Sequence, residues 1–189
     1  MLTLIAGSLL FFGVHSVHLI SPQTSSKAVS RWGQNRWKLV YSLVAAAGLI
    51  LIIVGYGGAR KDDAMLYAAP GWGRTATFML MLPVFPLLIA TYLPGHIQRR
   101  VRHPMLWATV LWALAHLGAN GSWADVILFG SFLLWALADL ASFRYRPPKE
   151  IPRLPSGRWN DVVSIIGGLA VYGLVVAAAH RWLTGIPLN

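Results

Sequence analysis

Apolar residues fall in six long blocks along the chain: Leu2 to Ile20, Lys38 to Tyr56, Thr75 to Tyr92, Pro104 to Gly118, Trp123 to Phe143 and Asp161 to Leu183. They show neither the alternation of a half-buried strand nor the one-sided stripe of a soluble helix. A helix needs about 20 mostly apolar residues to cross the roughly 30 Å hydrocarbon core of a bilayer. The pattern therefore predicts an all-α, polytopic membrane bundle of six transmembrane helices, forming a single domain over residues 1–189. The fourth block is short. The third carries Pro83 and Pro86, which remove backbone donors and free the carbonyls of Met79 and Leu82, so a kink is expected there. Such a kink either serves packing alone or widens an intramembrane pocket for an apolar ligand.

Charge in the links orients these blocks. Lys27, Arg31, Arg36 and Lys38 follow the first block, Arg99, Arg100 and Arg102 the third, and Arg144, Arg146, Lys149, Arg153 and Arg158 the fifth, which is 12 of the 16 basic residues. By the positive-inside rule those three links are cytoplasmic and both termini lie outside. The net charge of +10 is then explained by topology and by anionic headgroups. A nucleic-acid partner would need a soluble basic face, and this pattern offers none. The first block lacks a basic leader and a small-residue cleavage site before Ser21-Pro22, so it is expected to stay as a helix.

Punctuation between the blocks is of the ordinary membrane kind. Trp37, Trp72, Trp107, Trp123, Trp159 and Trp182 fall near predicted helix ends, where an amphipathic ring suits the headgroup layer. Ser122 and Asp125 have capping-box spacing, and Asn120-Gly121 suits a turn, so the fourth and fifth helices are expected to form an antiparallel hairpin. Pro147, Pro148, Pro152 and Pro155 should stiffen the last basic link. The chain has no cysteine, which removes disulfides, thiolate metal sites and Cys nucleophiles.

Chemistry must then come from polar groups inside the apolar blocks, where they are costly and face the bundle interior. His15, His18, His116 and Asp139 qualify. His15 and His18 share a helix face at i, i+3 spacing. His116 lies 12 residues into its helix and His15 a similar distance into one running the other way, each about 18 Å from opposite boundaries, so their depths differ by only about 6 Å. Two mid-membrane histidines on different helices suit two trans ligands of one metal better than a tetrahedral zinc site. Haem fits that description, because the porphyrin supplies the equatorial nitrogens and the protein only axial groups and a slot, which Gly7, Gly13, Ala108 and Ala115 could open. An interhelical hydrogen bond is the plainer role for such a histidine. Asp139 needs a partner, His18 or Arg102, as a structural link or as a group orienting the site from behind. His180 and Arg181 read as interfacial.

The strings Leu10-Phe11-Phe12-Gly13-Val14-His15-Ser16, Arg102-His103-Pro104-Met105-Leu106-Trp107 and Trp112-Ala113-Leu114-Ala115-His116-Leu117-Gly118-Ala119-Asn120-Gly121 resemble the NnrU family of bacterial membrane proteins over nearly the whole chain. That family is related to the plant zeta-carotene isomerase, a polytopic haem b enzyme with two histidine ligands. The resemblance implies haem b on His15 and His116, with isomerase-like or redox activity on an apolar substrate or a role in nitric oxide and nitrite metabolism. It also implies an electron donor. The isomerase carries a cysteine three residues before its second ligand histidine, and Ala113 stands there, so no thiolate can replace an imidazole in this chain.

Arg102-His103-Pro104 also resembles a motif of isoprenylcysteine carboxyl methyltransferases, which would imply S-adenosylmethionine as cofactor. Only Asp139 stands where that family has an acidic pair, and Phe143-Arg144-Tyr145-Arg146 echoes the remainder in part. Under the haem reading, Arg102 and His103 would instead receive haem carboxylates. A third expectation is a membrane scaffold without catalysis.

Overall fold

Length divides the six apolar blocks into two classes once they are folded. The computed structural model describes residues 1–61, 64–146, 151 and 153–184. Its helices are α1 (Leu2–His15), α2 (Val17–Ile20), α3 (Pro22–Trp32), α4 (Gln34–Ala59), α5 (Gly73–Met81), α6 (Val84–Ala90), α7 (His96–Val101), α8 (Pro104–Ala119), α9 (Trp123–Ser142), α10 (Asn160–Leu174) and α11 (His180–Thr184), with a π turn at Val175–Ala179 between the last two. Among the described residues, four helical stretches are long and apolar enough to cross a membrane rather than the expected six: Gln34–Ala59, Gly73–Ala90, Trp123–Ser142 and Asn160–Trp182.

The other two blocks form apolar helices that are too short by that measure. Helix α1 ends at His15 because Ser16 closes the last turn, leaving a single turn at α2 before extended Ser21 and Pro22. Helix α8 cannot begin before Pro104, whose missing N–H suits the first helical position, and it stops at extended Asn120. At 14 and 16 residues they reach about 21 and 24 Å. The kink expected in the third block is a break: α5 ends at Met81 and α6 starts at Val84 on the far side of Pro83.

The chain divides into two compact units, Met1–Tyr67 with Gly121–Ser131, and Ala68–Asn120 with Phe132–Asn189. In the first unit α1 packs along α4 through glycines. A Cβ on Gly7 would lie 2.6 Å from the Ile52 nitrogen, one on Gly48 2.7 Å from the Phe11 nitrogen, and one on Gly55 would meet the Leu4 backbone. Backbones this close gain dispersion contact over the whole crossing, and Leu4 and Ile52 are buried in it.

The capping box forms as expected. The Asp125 amide donates to the Ser122 hydroxyl (3.2 Å), while the Asp125 carboxylate accepts from the Ser122 amide (3.1 Å) and hydroxyl (2.8 Å). Tyr56 of α4 adds a 2.7 Å bond to the same carboxylate. The segment at Ala64 to Tyr67 is held alongside: Leu66 donates to the Gly121 carbonyl and Trp123 to that of Ala64. Ser122→Ala is expected to cost about 1 kcal/mol, measured as a lowered thermal midpoint in detergent, because it removes the cap and one partner of a buried carboxylate.

In the second unit α10 lies against α6, where Gly168 meets Pro86, and the Tyr172 hydroxyl donates to the Phe78 carbonyl (3.1 Å). Leu106 and Val110 of α8 pack with Ala136, Leu133, Leu140 and Phe143 of α9. The pairs His103 with Phe143 and Trp112 with Phe132 run in opposite chain directions, so these segments are antiparallel as expected. Pro147, Pro148 and Pro152, three of the four prolines expected to stiffen the last link, lie outside the described residues, as does Lys149.

Between 11% and 28% of each long span is buried inside the protein. Leu39, Leu43, Ile50, Ile53 and Val54 of α4 and Ile166 and Leu174 of α10 are exposed. Apolar area of this extent facing outward belongs in hydrocarbon, which makes this a multi-pass membrane protein. Trp72, Trp107, Trp123, Trp159 and Trp182 are exposed at or near helix ends, as interfacial rings should be.

Candidate functional site

His15 closes α1, and its ring is shaped by the turn before it. Helical side chains lean toward the N-terminus, which brings His15 Nδ1 to 2.7 Å from the carbonyl oxygen of Phe11. A carbonyl only accepts, so the proton sits on Nδ1 and the lone pair of the neutral imidazole on Nε2. The Phe11 ring packs on the imidazole at 4.2 Å, and Tyr41 of α4 approaches it edge-on at 5.6 Å.

His116 repeats the arrangement in the second unit. Its Nδ1 donates to the Trp112 carbonyl at 2.8 Å, and the Trp112 ring lies 5.2 Å from the imidazole. Thr77 of α5 donates to the Ala115 carbonyl (2.7 Å), and Asn120 donates to that of His116 (2.9 Å), which fixes this last turn of α8. In each unit a partly buried histidine is thus oriented by the carbonyl of an aromatic residue four positions earlier. Metal-ligating imidazoles are oriented this way, one ring nitrogen donating to an acceptor so that the other carries a directed lone pair.

Space beside the two histidines differs from expectation. Of the small residues expected to open a slot, Gly13 has open space beside it, while Gly7 is taken up by the α4 crossing and Ala108 and Ala115 are buried in packing. Gly118, two residues after His116, is also open. His18 Nδ1 lies 3.4 Å from the Ser25 hydroxyl. Among the described residues, no group of three or more His, Asp or Glu is gathered as a metal cluster.

Asp139 has a different partner from those expected. It forms an ion pair with Arg146, where His18 or Arg102 had been the sequence-based choices. The reason is local: Asp139, Ser142, Phe143 and Arg146 sit at i, i+3, i+4 and i+7 and share one face across the end of α9. Arg146 Nε donates to the Ser142 hydroxyl (2.8 Å), and its guanidinium lies 4.6 Å from the Phe143 ring centre. His103 stacks on the same ring, with centroids 3.8 Å apart and planes 1° from parallel. Arg102 before it has φ 63° and ψ −49°, and the His103 amide donates to the Val101 carbonyl at 2.7 Å. That is a γ-turn of the rare, strained kind, and Arg102 is the one described non-glycine residue with positive φ. Partial burial pushes the His103 imidazole below its ordinary range; Asp139 opposes this, and the guanidiniums of Arg102, Arg146 and Arg153 add to it.

Comparison with known proteins adds one match. Residues 3–188 match the NnrU family, described as NnrU protein. The chain belongs to the NnrU family. No curated protein and no solved structure matches it. The NnrU match runs through both units, and it includes His15, Arg102, His103, His116 and Asp139.

Ala113 is fully buried in this NnrU protein. Sequence reasoning passed over Arg146 as the partner of Asp139, although the seven-residue interval between them was legible. It also passed over Phe11 and Trp112, whose positions four before each histidine carried the signal.

Proposed function

We propose that His15 and His116 are the residues that would hold haem b in this NnrU protein. The observation that supports this is the matched pair of Nδ1–H to carbonyl bonds, which sets both imidazoles in the tautomer that ligates through Nε2. Because both acceptors are backbone carbonyls, the tautomer is fixed by the helix and does not depend on a neighbouring carboxylate. The aromatic neighbours Phe11, Tyr41 and Trp112 give the ring edges an apolar setting. Bound haem supplies a one-electron iron centre, suited to redox or isomerase-like chemistry on an apolar substrate or to nitric oxide and nitrite metabolism. Ala113 offers no thiolate, so any activity must proceed without exchange to a sulfur ligand.

An absorption spectrum of the detergent-purified protein tests this. A Soret band that sharpens and shifts on reduction is the expected result. Folded protein without haem would overturn it, and binding of S-adenosylmethionine would then favour the methyltransferase-like alternative, to which Arg102-His103-Pro104 and Asp139 lend a partial motif.

We further propose that both termini face the periplasm of a bacterial inner membrane, with the links rich in Lys and Arg in the cytoplasm. That alternation of charge requires the shorter α1 and α8 to traverse as well, by local thinning of the bilayer. A reporter fused after Asn189 is expected to behave as periplasmic, and one inserted beside Arg153 as cytoplasmic. The reverse pattern removes this orientation.

A further inference from the structure

At the junction of α7 with α8, facing the end of α9, the structure assembles a group of side chains that haem ligation does not use. Phe143 is touched by the His103 ring and by the Arg146 guanidinium. Arg146 is held by three contacts at once: the Asp139 carboxylate, the Ser142 hydroxyl and the Phe143 face. Its rotamer entropy is spent before any ligand arrives, so a ligand that meets it loses less on binding. Arg102 forms the strained γ-turn immediately before His103, and Arg153 is exposed and near enough for its charge to act on the same imidazole. Among the described residues, the charges of three guanidiniums act on His103 against that of one carboxylate, which is already committed to Arg146.

Like charges gathered at this density repel one another unless an anion lies among them. Location narrows the choice of anion. Helix α9 is a membrane-spanning stretch that ends at Ser142, and α8 begins at Pro104, so the group sits where hydrocarbon gives way to headgroups. A phosphodiester lies at that level. His116 is 13 residues further along α8, about 20 Å up the helix axis, which separates this group from the histidine proposed to ligate iron.

We propose that Arg102, His103, Arg146 and Arg153 form a binding site for the phosphate of one anionic phospholipid. Arg146 and Arg102 engage its oxygens by charge-assisted bonds, and His103 closes the site from the Phe143 side. The site differs from the diffuse attraction of the other basic links in having a guanidinium held in advance and a stacked imidazole at its centre.

Native mass spectrometry of the full chain in detergent tests this, with phosphatidylglycerol and phosphatidylcholine as probes and inorganic phosphate as competitor. The wild-type protein is expected to retain one phosphatidylglycerol in preference to phosphatidylcholine. Arg153→Gln changes an exposed residue, and Arg102→Gly relieves backbone strain while removing the guanidinium, so neither should harm folding. Each is expected to weaken phosphatidylglycerol binding about tenfold, the effect of one charge-assisted bond. Lys27→Gln and Arg31→Gln, in a different basic link, should change it less than twofold. Equal retention of both lipids, or equal loss in all four variants, would overturn the site in favour of diffuse attraction. Full competition by millimolar phosphate would overturn the lipid assignment.

A second readout concerns His103 itself. In 13C-histidine NMR, phosphatidylglycerol is expected to raise the titration point of one imidazole, whose signal is absent in His103→Gln, and phosphatidylcholine to leave it in place. No movement overturns the proposal. Haem content separates this proposal from the haem reading: Arg153→Gln should leave the absorption spectrum unchanged while phosphatidylglycerol binding weakens, and loss of haem with lipid binding intact in Arg102→Gly would mean that the anion here is a haem carboxylate.

Discussion

Replacing His15 or His116 with alanine is expected to weaken or abolish haem binding, seen as loss or displacement of the Soret band. Each imidazole would contribute one Nε2 lone pair to the iron, and nothing else at those positions can replace it. Because Nδ1 is oriented by a backbone carbonyl, Phe11→Leu and Trp112→Leu keep the acceptor and should retain haem. His180→Ala, in α11, is expected to leave the spectrum unchanged. His18→Ala is the sharper comparison. As a group behind the ligands rather than one of them, its loss should change haem retention only within the roughly 10- to 100-fold typical of such groups. A protein that needs His18 but not His15 would show the ligand pair to be wrong even with haem present.

Gly7→Ala is expected to destabilise the first unit by about 1–3 kcal/mol, although alanine favours helices. The added carbon would meet the Ile52 nitrogen at 2.6 Å and the Leu51 carbonyl carbon at 2.8 Å, and backbone cannot rotate aside as a side chain can. Helices α1 and α4 would have to separate, loosening the packing around Leu4, Ser8 and Ile52 along the crossing. Gly57→Ala, in the partner helix α4 with nothing within 4 Å, removes backbone freedom without a clash and is expected to be neutral or stabilising by up to about 1 kcal/mol. Thermal midpoints of the two variants in one detergent check the contrast. Equal behaviour would mean that the close crossing is not what holds these helices together.

Much of this organisation was legible in the residues because it depends on local rules. Apolar run length marked the helices, Ser122 and Asp125 marked a cap, and Pro83 marked a break, each acting within a few positions. The number of long spans was less legible. Block boundaries in a sequence do not show that Ser16 ends one helix or that Pro104 delays another, and a few residues decide whether a helix reaches about 30 Å. At the site, the histidines stood out because imidazole is costly in hydrocarbon. Their orientation did not, since it depends on carbonyls that every residue possesses. The true partner of Asp139 was hidden for a similar reason: several basic residues were within plausible reach, and only the turn of α9 selects Arg146.

The π turn at Val175–Ala179 has a bearing on the chain's last helical segment. A π turn takes in one residue more than an α-turn, so everything after it is rotated by about 100° from where a regular helix would carry it. Ser164, Gly168 and Tyr172 mark one side of α10 at four-residue steps, and a helical wheel extended through them would assign His180 and Arg181 to the wrong azimuth. Deleting a single residue from that valine-alanine run would leave hydropathy almost untouched, yet swing those two side chains to a different neighbour. At this end of the molecule, the facing of charge is set by a count of residues rather than by their identity.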